Sequence, residues 1–256
     1  MAGIAQHLND LSIFALAIAA LAFFCGGVVK GATGVGLPLV ALPIMSFAFS
    51  VPESVAMMTV PILVSNIVQA FSGGRFLYTF RRFWPLLLAV LVTMAFTVKL
   101  LSVADPRLLS AFLGGILLIS AGAMLFQPEF HLKTQREGLW SAGVGVVGGL
   151  IGGLTSLYGL PIIHYLLALR LDRVTFVSCI AVIYVCGSAT LMVLLAGYRV
   201  LGAQEALLSV AGLIPVGIGM LLGNFTGSIM SERRFRLAVL CLMVVASVNL
   251  IQKAVF

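Results

Sequence analysis

Two glycine-rich stretches of this 256-residue sequence hold the residue types best able to do chemistry. GGVVKGATGVGLP, from Gly26 to Pro38, and GGLIGGLTSLYGLP, from Gly148 to Pro161, share G-G-x-x-x-G-x-T followed by G-L-P. The glycines at Gly31, Gly34 and Gly36, and at Gly152, Gly153 and Gly159, are expected to free backbone N–H groups from regular helix pairing. Glycine is the residue for such breaks, because it adopts conformations closed to other side chains. Short helices starting near Leu37 and Leu160, with Pro38 and Pro161 in their first turns, would point positive N-terminal ends into the same region. Two converging helix N-termini make an anion site. The same glycines could instead serve close packing of membrane helices.

Several side chains around these stretches are candidates for the same site. Thr33, Thr155 and Ser156 could donate hydroxyl hydrogen bonds to an oxyanion or bond back to their own helices. Lys30 is the one basic residue inside a repeat motif: it is either a buried cation for an anionic substrate or a side chain that snorkels to the cytoplasmic surface. Asn66 and Gln69 in the third apolar segment, and Ser188 in its counterpart, offer neutral contacts to an anion or hydrogen bonds between helices. His164 titrates in the physiological range and could relay protons, or simply bond to a neighbour. Tyr158 stands where the first loop has Gly36 and would shape or gate the pocket. The acidic residues Asp10, Glu53, Asp105, Glu129, Glu137, Asp172, Glu205 and Glu232 all fall at segment ends or in loops. That placement disfavours a carboxylate proton relay or a cation pump. It favours an anion path driven by its own gradient and the membrane potential, or coupling through other groups.

The elements that must position these residues are written in the composition. Hydrophobic residues make up 61% of the chain and charged residues 9%, against about a quarter charged in soluble domains. Lipid is therefore the main solvent, and an all-α integral membrane fold is expected. Ten apolar segments are legible: Ser12 to Val29, Leu37 to Phe49, Ser54 to Phe71, Phe83 to Leu101, Leu108 to Phe126, Leu139 to Leu154, Leu160 to Leu169, Val174 to Ala196, Ala206 to Leu222, and Phe235 to Ile251. Eight are near full length. The second and seventh would reach only about 15 to 20 Å, short of a hydrocarbon core of about 30 Å.

If every segment crosses, Arg75, Arg81, Arg82, Lys133, Arg136, Arg170, Arg173, Arg233, Arg234 and Arg236 share one side, while Lys99, Arg107 and Arg199 face the other. The positive-inside rule then makes the first side cytoplasmic. The net charge of +7 is thus read as a topology signal and not as a nucleic-acid surface. MAGIAQHLND lacks the basic n-region and cleavage site of a secretory signal, so the first segment is expected to stay in the protein. Cys25, Cys179, Cys186 and Cys241 have no C-x-x-C spacing and fit small hydrophobes packed between helices. No P-loop, HExxH or nucleophile-elbow pattern is present, and His7, His131 and His164 are far apart in sequence, so neither an enzyme nor a cofactor or metal site is expected.

Each glycine stretch follows one long segment and precedes a short one and three longer ones, so residues 1–127 and 128–256 read as two repeats within one transmembrane domain. An odd number of segments per half forces the two to enter the membrane in opposite senses, related by an in-plane pseudo-twofold axis. Inverted repeats with interrupted helices place a substrate site near the midplane and open it alternately to each side. An anion channel is the neighbouring reading, with a membrane-embedded enzyme or a structural subunit further away. Stripes of small residues could serve a homodimer or packing within one chain.

The stretch KGATGVGLPLVALPIMSFAFSVPESVAMMTVPILVSNIVQAFSGG, from Lys30 to Gly74, resembles the first-half signature of the TauE/SafE family of sulfite and organosulfonate exporters. GGLIGGLTSLYGLPIIHYLLALRLDR, from Gly148 to Arg173, is similar to the second-half motif, with Thr155-Ser156-Leu157-Tyr158 replacing the usual glycine run. The resemblance spans essentially the whole chain. It implies a multi-pass permease of the bacterial inner membrane for a small sulfur-containing anion such as sulfite or a sulfonate. The change in the second loop bears on pocket size or substrate.

Overall fold

The computed structural model describes residues 12–126, 136–226 and 232–255, all of them in helices or short connections. His7, Asp10, Glu129, His131 and Lys133 lie outside the described residues, as do the boundary at 127 and 128 and the side chains of Glu232, Arg233, Arg234 and Arg236. The order is α1 (Ile13–Thr33), α2 (Leu37–Met45), α3 (Val51–Gly73), α4 (Phe76–Val103), α5 (Pro106–Phe126), α6 (Glu137–Thr155), α7 (Gly159–Ala168), α8 (Arg173–Gly197), α9 (Ala203–Ala211), α10 (Leu213–Thr226) and α11 (Glu232–Val255). Counting α9 and α10 together, eight helical stretches among the described residues are long and apolar enough to cross a membrane. The protein is an all-helical, multi-pass membrane protein.

Local chemistry sets the helix ends. The Ser12 hydroxyl accepts the Ala15 N–H at 3.1 Å and starts α1. Glu53 reaches back to the Ser50 N–H at 2.8 Å, which satisfies a donor the first turn of α3 would otherwise leave orphaned. Asp172 does the same for Thr175 at 3.0 Å and starts α8. α4 runs past the expected Phe83 start back to Phe76, with a kink at Phe83 (φ −107°) two residues before Pro85. Proline lacks the N–H that would continue the ladder, and its ring crowds the preceding turn. The ninth segment divides at Gly212, just before Pro215, although the Val216 N–H resumes the pairing with the Gly212 carbonyl at 3.1 Å. The second segment is helical only to Met45, and residues 46–49 form a turn closed by the Phe49 N–H on the Met45 carbonyl at 2.9 Å.

The core is built from close helix pairs that join the two halves. α1 runs parallel to α10: Gly27 lies on the backbone of Val216, Gly31 on that of Met220, and Gly219 and Gly223 on the α1 backbone near Val28. α4 and α6 run parallel in the same way, with Gly145 against Leu86, Gly149 against Val90 and Thr93, and Gly153 against Met94 and Thr97. α3 and α8 run antiparallel, since the Ser178 hydroxyl accepts the Arg75 N–H at 3.3 Å while Ala70 packs on Ala181 and Val182. α5 meets α11 where Gly114 rests on Ser247 and Leu250. The contacts are reciprocal. Counting five segments in each half, short ones included, the first of each half pairs with the fourth of the other, the third with the third and the fifth with the fifth.

This packing corrects one expectation from the sequence. Gly31, Gly152 and Gly153 do not release their backbone from helix pairing; they lie inside α1 and α6. A Cβ on Gly31 would run into the Met220 carbonyl, and one on Gly152 would strike the Tyr158 ring. Without hydrophobic drive between helices in lipid, close backbone approach through such small residues supplies much of the association. The true interruptions are shorter, at Gly34–Gly36 and Ser156–Tyr158.

Candidate functional site

At the first interruption α1 stops because Gly34 turns left-handed (φ 83°), its N–H closing on the Lys30 carbonyl at 2.7 Å, and Gly36 does so again at φ 95° before Pro38 opens α2. Only glycine takes such angles freely. The turn holds Lys30 inside the protein: its side chain is 3% exposed and does not snorkel. Nζ donates to Asn66 Oδ1 at 2.8 Å and to Gln69 Oε1 at 3.1 Å, both from α3. Asn66 is fixed in turn, its Nδ2 donating to the Ile62 carbonyl at 2.7 Å. The Gln69 amide lies against the turn, 3.2 Å from where a Cβ of Gly34 would be. Among the described residues the ion pair is Arg82 with Glu137, and no carboxylate reaches Lys30. A protonated Lys30 here carries a positive charge answered only by neutral amides. Such a charge is costly away from water and becomes favourable when an anion joins it.

The second interruption repeats the backbone and changes the contents. Ser156 takes the place of Gly34 in the left-handed region (φ 61°), with its N–H on the Gly152 carbonyl at 2.8 Å. Its hydroxyl is buried and has no hydrogen-bond partner. In the register that pairs Gly26 with Gly148, Lys30 corresponds to Gly152, Asn66 to Ser188 and Gln69 to Leu191. The volume that Lys30 fills in the first half is taken here by Tyr158, fully buried, with its ring against Gly152 and Gly187. The Tyr158 hydroxyl donates to the Tyr184 carbonyl at 3.1 Å, Ser188 donates to the same carbonyl at 2.6 Å, and the two tyrosine rings stack tilted at 4.7 Å. Gly159 leaves room for the Tyr184 hydroxyl. The second loop has no cation.

The remaining candidates sit on these elements with their groups bonded locally. Thr33 and Thr155 return their hydroxyls to Val29 and Ile151 of their own helices, at 2.9 and 2.7 Å. His164 is exposed on α7, Nδ1 2.8 Å from the Leu160 carbonyl, and Pro161 lies in the first turn of that helix. The structure therefore gathers Lys30, Gly34, Asn66 and Gln69 in one cluster, and Ser156, Tyr158, Gly159 and Ser188 in another. Tyr184 and Gly187 belong to the second cluster and were not singled out in the sequence, where they sit in an unbroken apolar run.

At one end of α4, Arg82 grips Glu137 of α6 in a bidentate pair (Nε–Oε1 2.6 Å, Nη2–Oε2 3.1 Å) and also bonds the Tyr78 hydroxyl. With Leu77, Tyr78 and Arg81 it lines an open pocket of about 440 Å³.

A family model described as sulfite exporter TauE/SafE matches residues 18–250. The chain belongs to the TauE/SafE family. Neither a curated protein nor a solved structure matches it. Both interruptions and every residue of the Lys30 cluster fall inside the stretch matched to TauE/SafE. Membership in an exporter family points to transport and away from catalysis, in keeping with the spanning helices of this TauE/SafE chain.

Proposed function

We propose that this TauE/SafE protein is a secondary transporter that exports small sulfur-containing anions, sulfite or an organosulfonate, across the bacterial plasma membrane. The observation that carries the reading is the Lys30 cluster: a buried ammonium held by two amide oxygens, with no carboxylate partner among the described residues, at the helix break next to α2. A compact oxyanion can accept the remaining Lys30 proton and the N–H groups at the start of α2. The substrate class comes from the family, and the anion preference comes from the site.

Alternating access would follow from two inverted halves, residues 1–127 and 128–256, rocking about the site. The reciprocal helix pairs and the antiparallel run of α3 and α8 support that arrangement.

Flux of radiolabelled sulfite and a small sulfonate into proteoliposomes tests the reading. Saturable flux in wild type that is lost in Lys30→Met and Gly34→Leu, both correctly inserted, is the expected result. Absence of flux for every anion tried in wild type would overturn it. Single cysteines in place of Arg81 and Arg199 should label from opposite faces; labelling from one face would end the inverted arrangement.

A further inference from the structure

We infer that Lys30 is the proton carrier of this transporter, so that each anion crosses the membrane together with one proton held on the Lys30 amine. The inference rests on the transport reading above and adds its coupling ion.

Nζ has two acceptors, Asn66 Oδ1 and Gln69 Oε1, both neutral, and its side chain is 3% exposed. Among the described residues, no titratable group is bonded to it. α2 and α10 contain no titratable residue. α3 has only Glu53, in its first turn and engaged with Ser50, whereas Asn66 and Gln69 lie toward its other end. α8, which reaches the Gly34 turn through Val177, carries Arg173, Cys179, Tyr184 and Cys186, none of them bonded to Lys30. An unanswered ammonium in such a place has two ways to lose its cost: pairing with an anion, or giving up its proton. A lysine amine can do the second; a guanidinium cannot.

The cycle balances on that basis. On one face the neutral amine takes a proton from water as the anion binds, giving an ammonium–anion pair with no net charge for a monovalent substrate. The loaded site turns, the anion leaves, and the proton returns to water on the other face. The empty carrier resets with a neutral amine. One anion and one proton have moved, and the membrane potential does no work on either half of the cycle. Export then runs on the outward gradient of the anion, and an interior more alkaline than the exterior opposes it. The second half cannot substitute, because Gly152 and Tyr158 replace the lysine there.

The test uses the full chain in proteoliposomes and a small alkyl sulfonate, which stays a monoanion across the accessible pH range, as sulfite does not. With the potential clamped at zero, a gradient of about one pH unit should accumulate the sulfonate about tenfold on the alkaline side. A potential alone should accumulate none, and a trapped pH dye should report one proton per sulfonate. Wild-type flux that follows the potential and ignores the pH gradient would overturn the coupling while leaving the transport reading intact; no wild-type flux at all would remove both. Lys30→Arg keeps the charge without a releasable proton. Its net pH-driven flux should fall at least about tenfold further than its exchange of labelled for unlabelled sulfonate. Net flux at the wild-type level in Lys30→Arg would also overturn the proposal.

Discussion

Gly34 and Ser156 occupy the same place in the two halves and share the left-handed backbone, at φ 83° and 61°. The fold therefore demands this conformation whether or not glycine supplies it. Ser156 bears it with a side chain whose buried hydroxyl lacks a partner. Ser156→Gly should relieve both costs, against the larger entropy glycine loses on folding, and leave stability unchanged or higher by up to about 1 kcal/mol. A fall in the thermal midpoint of the detergent-solubilised protein would contradict this account.

Gly31 should tolerate nothing larger. A Cβ there meets the Met220 backbone, which cannot move aside as a flexible side chain would. Gly31→Val should separate α1 from α10 and cost about 3 kcal/mol or more, read as loss of a monodisperse peak in size-exclusion chromatography. Gly115, with open space beside it, is the control: Gly115→Val should stay monodisperse.

Tyr158 acts mainly by filling space, with one hydrogen bond in addition. Tyr158→Phe removes that bond and should cost about 1 kcal/mol. Tyr158→Ala leaves a cavity at the second break and should cost about 3 to 5 kcal/mol. Chemical denaturation of the two variants side by side measures the difference, and equal losses would show that packing is not the larger part.

Asp172 gives the fold an acid-sensitive helix start. Hydrogen bonds from the Thr175 hydroxyl and N–H hold its carboxyl below the ordinary carboxylate range. Because the folded value is the depressed one, the stabilisation is complete above the unfolded value of about 3.9 and fades as pH falls through the folded value. Thermal midpoints recorded from near neutrality into this acid range should drop more for wild type than for Asp172→Asn, which caps without titrating. Parallel curves would remove Asp172 from the acid response.

The candidate site was only partly legible in the chain. The repeat identified the two breaks because glycine and proline act locally, and Asn66 and Gln69 stood out as polar groups in an apolar run. Whether Lys30 turned inward or reached the surface was open, since both are allowed to a long side chain near a helix end. Contact with α3, 36 and 39 residues away, decided for the interior. Tyr184 could not be found, because nothing marks an apolar aromatic as the partner of Tyr158 until the two rings meet.

By itself the sequence determined that this is a helical membrane protein with duplicated breaks. Backbone groups in lipid must be satisfied within each segment, so hydrophobic length alone selects spanning helices. Tertiary structure alone decided what the glycines do and where the charge lies. The Gly31 and Gly153 positions look like breaks in the chain yet serve as contact points between halves, because a missing side chain has a meaning only relative to the neighbouring backbone. Lys30 and Gly152 stand in equivalent places, yet one break holds a cation and the other an aromatic plug, because the contents of each volume depend on which side chains the packed helices bring to it.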